Sequence, residues 1–281
     1  MNSALGYVQK QGIPIPGRAL YDTVTGRARE HRRDIEHMFA VVDDVIADRQ
    51  ADPHDEPRDL LDLMLATADP DTGERLDAVN VRNQILTFLV AGHETSSSAL
   101  AFALYLLSRH PAEAEKARAE VDALWTEAST VPFEQVAKLR TVRRVLDETL
   151  RLWPTAPGYF REARHDTVLG GRYPIRAGQM VMVVLQRVHT DPSVWGEDAG
   201  EFRPDRFLPD QVRARPGHAY KPFGTGIRAC IGRQFAYHEM ILALATILRR
   251  YHVDIDLPPT LDVREQLTLK PEGLRMTVTR R

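Results

Sequence analysis

A long helical pattern from about residue 78 to 108 narrows the possible folds more than any other stretch. It is the longest such pattern in the chain, and apolar residues flank its polar centre on both sides. Upstream, Ile35, Met38, Phe39, Val42 and Ile46 repeat at three- and four-residue steps with charges between them. That spacing predicts an amphipathic helix from Arg27, ended by the polar, proline-containing stretch 51–57. A short apolar helix is expected near 60–66, followed by a turn at 69–73. Pro111 suits the first turn of a further helix reaching about Trp125, and another is expected over 133–153, stopped by Pro154. Residues 1–26, with several Gly and Pro, read as an irregular approach.

The second half has a different texture. Residues 167–185 alternate and carry β-branched side chains around Gly170, Gly171, Ala177 and Gly178, so short strands and turns are expected. Loops rich in Pro, Asp and Arg fill 189–226, and a last long helix is expected over 231–251. Leu267 and Leu269 face Leu274, Met276 and Val278 across Pro271, Glu272 and Gly273, a hairpin pattern. The expected fold class is mainly α with a minor antiparallel β part. Its subdivisions are helix-rich 27–153, mixed strand and loop 154–226, a Cys-containing loop with the last long helix 227–251, and the hairpin region 252–281.

At 281 residues one or two domains are expected, and 43% hydrophobic with 27% charged residues is ordinary globular usage. Lys plus Arg number 37 against 39 Asp plus Glu, which argues against a general nucleic-acid binder. One Cys cannot form an internal disulfide, so an intracellular, cytoplasmic protein is expected. Residues 1–17 lack the basic start and apolar stretch of an export signal. The apolar runs 85–92 and 99–107 fall short of the roughly 20 residues that span a bilayer.

Two motifs fail. His93-Glu94 and His238-Glu239 suggest a zinc-protease helix, but the second His belongs four residues after the first, where Ser97 and Leu242 stand. Gly224, Gly226 and Ala229 fit a loose dinucleotide pattern, but no apolar strand precedes them.

Chemistry is possible at three places. Cys230 follows a loop with Gly224 and Gly226 and precedes a helix, where free amides and the positive dipole end favour an anion; Arg228 and Arg233 add charge. A lone Cys is commonly a small buried hydrophobe. As a ligand it supplies one bond, too few for zinc and enough for one axial position of haem iron. The segment AGHETSSS at 91–98 is a poor helix interior. It reads either as a cap between two helices or as a groove in one helix with Glu94 and Thr95 handling protons. Glu148 and Arg151 are three apart on a helix; the phase of Leu139, Val142, Leu146, Leu150 and Trp153 puts Glu148 opposite the apolar stripe, as a solvent-exposed ion pair.

Together these places resemble the cytochrome P-450 family of haem-thiolate monooxygenases. The sequence FGTGIRACIG at 223–232 fits that family's Cys loop at all its specified positions, and AGHET at 91–95 matches the oxygen-activation segment of its central helix. ETLR at 148–151 matches its Glu-x-x-Arg pair, and FRPDRF at 202–207 the segment supplying a second Arg. Residues 85–95, 151–157, 228–236 and 267–273 are similar in particular to bacterial fatty-acid hydroxylases whose haem domain is fused to a flavin reductase.

The resemblance implies haem b, with Cys230 as axial thiolate and metal ligand, and Phe223 shielding the sulfur. It implies that Gly224, Gly226, Gly232 and Ala91 line the cofactor, and that Arg228 and Arg161 pair with the haem propionates. Thr95 would hydrogen-bond dioxygen or its water, Glu94 would relay protons, and Glu148, Arg151 and Arg206 would form a buried charge network. The implied partners are a small apolar substrate of the fatty-acid kind, dioxygen, and a flavoprotein reductase carrying FAD and FMN and fed by NADPH.

Family members carry a substantial part ahead of what matches Arg27, holding early helices, much of the main sheet and part of the substrate channel. The expectation is therefore a P-450 fold lacking its N-terminal portion, with no reductase after Arg281. Two other readings are a helical remnant of the same fold that binds no haem, and a thiol enzyme with Cys230 as nucleophile, which needs a His base in reach.

Overall fold

A computed structural model describes residues 27–52, 56–125, 133–256 and 261–281. The reading of residues 1–26 lies outside that range. The chain divides into two compact units, Met1–His93 and Glu94–Arg281.

In the first unit, α1 (Arg27–Ala51) and α2 (Leu60–Ala66) are followed by the start of α3 (Ala78–Arg109). Val42, Ile46 and Val81 are buried there, with Leu61, Met64, Leu65 and Ile85 packed against them. These are the apolar positions of the helical repeats, brought onto one seam. Asp59 caps α2 by accepting from the Asp62 N–H at 3.1 Å, and Arg49 reaches both carboxylates, at 2.8 Å and 2.5 Å. The expected turn forms: Asp69 accepts from the N–H groups of Asp71 and Thr72, and Gly73 takes φ +72°.

In the second unit, α4 (Pro111–Leu124), α5 (Phe133–Val136), α6 (Arg140–Leu152) and α10 (Arg233–Arg250) surround a core that includes Ala103, Val121, Val142, Leu146, Met240 and Leu244. The single helix expected over 133–153 is two. The Glu120 carboxylate on α4 accepts from the N–H groups of Thr141 (2.7 Å) and Val142 (3.1 Å), so a fresh helix start at Arg140 has its orphan donors satisfied.

Four two-stranded antiparallel sheets complete the described part. β1 (Gly158–Glu162) pairs with β4 (Met180–Val184), and β2 (Thr167–Leu169) with β3 (Tyr173–Ile175) across Gly170 and Gly171, both at positive φ. After β4 come α7 (Leu185–His189), α8 (Pro192–Trp195), a 3₁₀ turn Pro204–Phe207, and α9 (Pro209–Ala214). β5 (Tyr251–Asp256) pairs with β8 (Arg275–Arg280), and β6 (Asp262–Glu265) with β7 (Leu269–Glu272). The hairpin expected between 267–269 and 274–278 therefore does not form. Gly273 turns the chain, but the strands on either side of it find earlier partners, which alternation alone cannot identify. The mainly helical class with a minor antiparallel β part holds.

Candidate functional site

The loop carrying Cys230 is built by glycine. Gly224 and Gly226 take φ +70° and +74°, a region open to them because they lack Cβ. Gly224 N–H donates to the Lys221 carbonyl (3.1 Å), Ala229 N–H to the Gly226 carbonyl (3.0 Å), and Cys230 N–H back to the Phe223 carbonyl (2.9 Å). A 3₁₀ turn, Gly226–Arg228, lies between these contacts, and α10 starts at Arg233 with Gly232 as its N-cap. Cys230 is exposed, and a Cβ on Gly232 would sit 3.9 Å from its Sγ. Within five residues of Cys230 along the chain, Ile227, Ile231 and Phe235 are also exposed, an apolar set on the loop and the first turn of α10. Arg228 is exposed in the same loop, and the Phe223 ring packs on Tyr237 at 5.0 Å.

The segment 91–98 is uninterrupted helix within α3, so it is not a cap between two helices. Ser97 Oγ donates to the Glu94 carbonyl (3.2 Å), showing how a hydroxyl is accommodated inside the helix. Glu94 and Thr95 are half-buried and adjacent, while Ala91 is exposed. Arg161 lies on β1 with its guanidinium 4.9 Å from the Tyr159 ring centre.

Glu148 and Arg151 are both fully buried, correcting the exposure expected from helix phase. Residues 145–152 of α6 are buried on every side, because α4, α10 and the 3₁₀ turn Pro204–Phe207 all pack on this helix. Arg151 donates to Glu148 through Nε (2.6 Å) and Nη2 (2.8 Å), and to the carbonyls of His189 (2.9 Å), Ala199 (2.6 Å) and Glu201 (3.0 Å). All five guanidinium donors are thus used, the condition under which a buried arginine is tolerable. Glu148 also accepts from Arg203 N–H (2.8 Å) and has Arg206 Nε at 3.6 Å. Arg206 in turn donates to the carbonyls of Trp195 (2.8 Å) and Asp198 (2.6 Å). Burial pushes the Glu148 carboxyl up, against the downward pull of Arg151, Arg203 N–H and Arg206.

Direct contacts thus assemble two of the groups singled out in the sequence: the loop residues around Cys230, and Glu148 with Arg151 and Arg206. Four further residues were missed in the sequence. His189 is fully buried; its Nε2 accepts the Lys221 N–H at 3.0 Å, and burial pulls it down to about 4. Asp147 and Tyr237, both buried, and the half-buried Tyr220 form a second polar cluster. The one available hint was a pair of adjacent carboxylates, 147 and 148, with arginines at 143 and 151.

A cavity of about 660 Å³ lies among Tyr105, Arg109, Trp153, Arg187, Thr190 and Glu201. Among the described residues no helix is long and apolar enough to cross a membrane, and no three His, Cys, Asp or Glu residues group as metal ligands.

The chain is 47% identical over 249 residues to the bifunctional cytochrome P450/NADPH–P450 reductase 2 of Bacillus subtilis (strain 168), covering 89% of this chain and 23% of that protein. A protein of the same description from Bacillus cereus is 43% identical over 271 residues, covering 96% and 25%. The chain thus spans about a quarter of the length of these curated relatives. Among solved structures, a cytochrome P450 (CYP102L1) superposes with a TM-score of 0.85 at 50% identity, over 91% of this chain and 58% of that one. The cytochrome P450DA heme domain superposes with a TM-score of 0.92 at 40% identity, over 100% and 60%. The cytochrome P450 profile matches residues 14–278, nearly all of the sequence, so the glycine-built thiol loop and the buried Glu148–Arg151 pair belong to a member of the cytochrome P450 family.

Proposed function

We propose that this chain forms the thiolate-bearing part of a haem monooxygenase that inserts one atom of dioxygen into a C–H bond of an apolar substrate of the fatty-acid class. The observation that carries the reading is the exposed Cys230 on a glycine-built loop with exposed apolar neighbours in sequence. One thiol offers one metal bond, and a flat, largely apolar group that brings its own equatorial ligands needs only one from the protein. Ile227, Ile231 and Phe235 present the apolar surface such a group covers, and Arg228 a cation for its carboxylates. The donor set therefore fits haem b.

Haem, when bound, supplies the activation of dioxygen, and the chain's own residues do the rest. Cys230 Sγ would hold the group, with the Cys230 backbone N–H anchored on Phe223 and Gly232 leaving room beside the sulfur. The Thr95 hydroxyl holds a proton for dioxygen or its water, and the Glu94 carboxylate carries protons toward it. Arg228 and Arg161 would pair with the propionates. Glu148, Arg151 and Arg206 fix α6 against the segment 189–206, the support on which the loop rests.

Electrons come from NADPH through a flavoprotein reductase carrying FAD and FMN. The relatives named bifunctional cytochrome P450/NADPH–P450 reductase support that partner. The test is turnover by the haem-loaded protein with such a reductase, NADPH, labelled dioxygen and a panel of fatty acids and alkanes. The expected product carries one labelled oxygen, with Thr95→Ala giving less product per NADPH consumed. Absence of label in any product would overturn the reading.

A further inference from the structure

Asp147 stands one residue before Glu148 on α6 but serves a different set of partners. Its carboxylate accepts from the Tyr237 hydroxyl (2.5 Å), the Tyr220 hydroxyl (3.1 Å) and Arg143 Nε (3.1 Å). Tyr220 also reaches the Asp147 backbone carbonyl at 2.9 Å, and the Arg143 guanidinium lies 3.3 Å from the centre of the Tyr237 ring. The two tyrosines bracket the Cys230 loop: Tyr220 stands three residues before Phe223, and Tyr237 is the fifth residue of α10. Both ends of the loop are therefore tied to one carboxylate on a third element. A direct path runs inward from there. The Tyr237 ring packs on Phe223, whose carbonyl holds the Cys230 N–H, and Lys221 N–H is held in parallel by His189.

We propose that Asp147, through Tyr220 and Tyr237, is a clamp that positions the Cys230 loop; its functional meaning, though not its existence, rests on the haem-thiolate reading. Phenylalanine at either position would keep the ring and remove a donor to a buried carboxylate, so the hydroxyls are what the clamp requires. Burial pushes Asp147 and both tyrosines up, while Arg143 keeps a partly exposed edge of the cluster. None of the three touches the reacting atoms; they are positioning residues.

The experiment is hydrogen–deuterium exchange by mass spectrometry on the full chain, with and without haem, comparing the parent with Tyr220→Phe, Tyr237→Phe, Asp147→Asn and Asp147→Leu. Tyr237→Phe and Asp147→Leu are expected to speed exchange across 221–232 by tenfold or more, leaving 27–51 within twofold of the parent. Asp147→Asn keeps an oxygen acceptor and is expected to preserve more protection than Asp147→Leu. In the haem-loaded protein, the share of the red-shifted Soret band after reduction and carbon monoxide should fall in the same order. Loop exchange within twofold of the parent in Tyr237→Phe and Asp147→Leu overturns the clamp, as does an equal rise in every segment. Where the Asp147 variants fail to fold, the two tyrosine variants decide. A parent without the red-shifted band would sink the haem-thiolate reading, while loop exchange in the unloaded chain still judges the clamp.

Discussion

His189 makes the buried architecture testable by pH. Its imidazole is fully buried, and its Nε2 accepts the Lys221 N–H. The ring is therefore neutral with its proton on Nδ1, and burial lowers its pKa from 6.5 to about 4. Because the folded value is depressed, the unfolded chain binds more protons between the two, and stability falls as pH drops from 6.5 toward 4. At 1.36 kcal/mol per pKa unit, the loss from this one group reaches about 2.5 kcal/mol by pH 4.5. His189→Gln keeps an acceptor near the position of Nε2 but cannot titrate. Urea unfolding followed by circular dichroism at pH 7.5 and 4.5 measures the difference. The parent should lose about 2.5 kcal/mol more than His189→Gln over that interval. Equal losses in the two proteins, within about 0.5 kcal/mol, would refute a neutral buried His189 as the cause.

Two further substitutions test other parts of the framework. Glu148→Gln removes the charge partner of a fully buried guanidinium and should cost about 3–5 kcal/mol, read as a lowered urea midpoint. A Cβ on Gly158 would lie 2.5 Å from the Val183 carbonyl oxygen and 3.1 Å from Met182 Cε, so Gly158→Ala must displace the β1–β4 pairing. It should destabilise by about 1–3 kcal/mol, seen as a lower thermal midpoint.

What could be read from the sequence was what is local. The Cys230 loop was legible because Gly224 and Gly226 lie within a few residues of the thiol they position. The helices of 27–51, 60–66 and 111–124 followed from periodicity, Pro and polar stops. The turn at Asp69 was equally local. Glu148 was misplaced by periodicity, since a helix packed on all sides has no exposed phase; only the resemblance to a known family pointed to its burial. The break before Arg140 depends on Glu120, twenty residues away, and β7 and β8 choose partners that alternation does not specify. The Asp147 cluster joins residues 73 and 90 positions apart, beyond the reach of any local pattern.

The central claim is that Cys230 is the thiolate of a haem site. Its most direct test is the optical spectrum of haem-loaded protein, reduced with dithionite and exposed to carbon monoxide, alongside Cys230→Ser. The account predicts a strongly red-shifted Soret band in the parent that is lost in Cys230→Ser. An unshifted band identical in the two proteins, or no haem uptake by a folded parent, would contradict it.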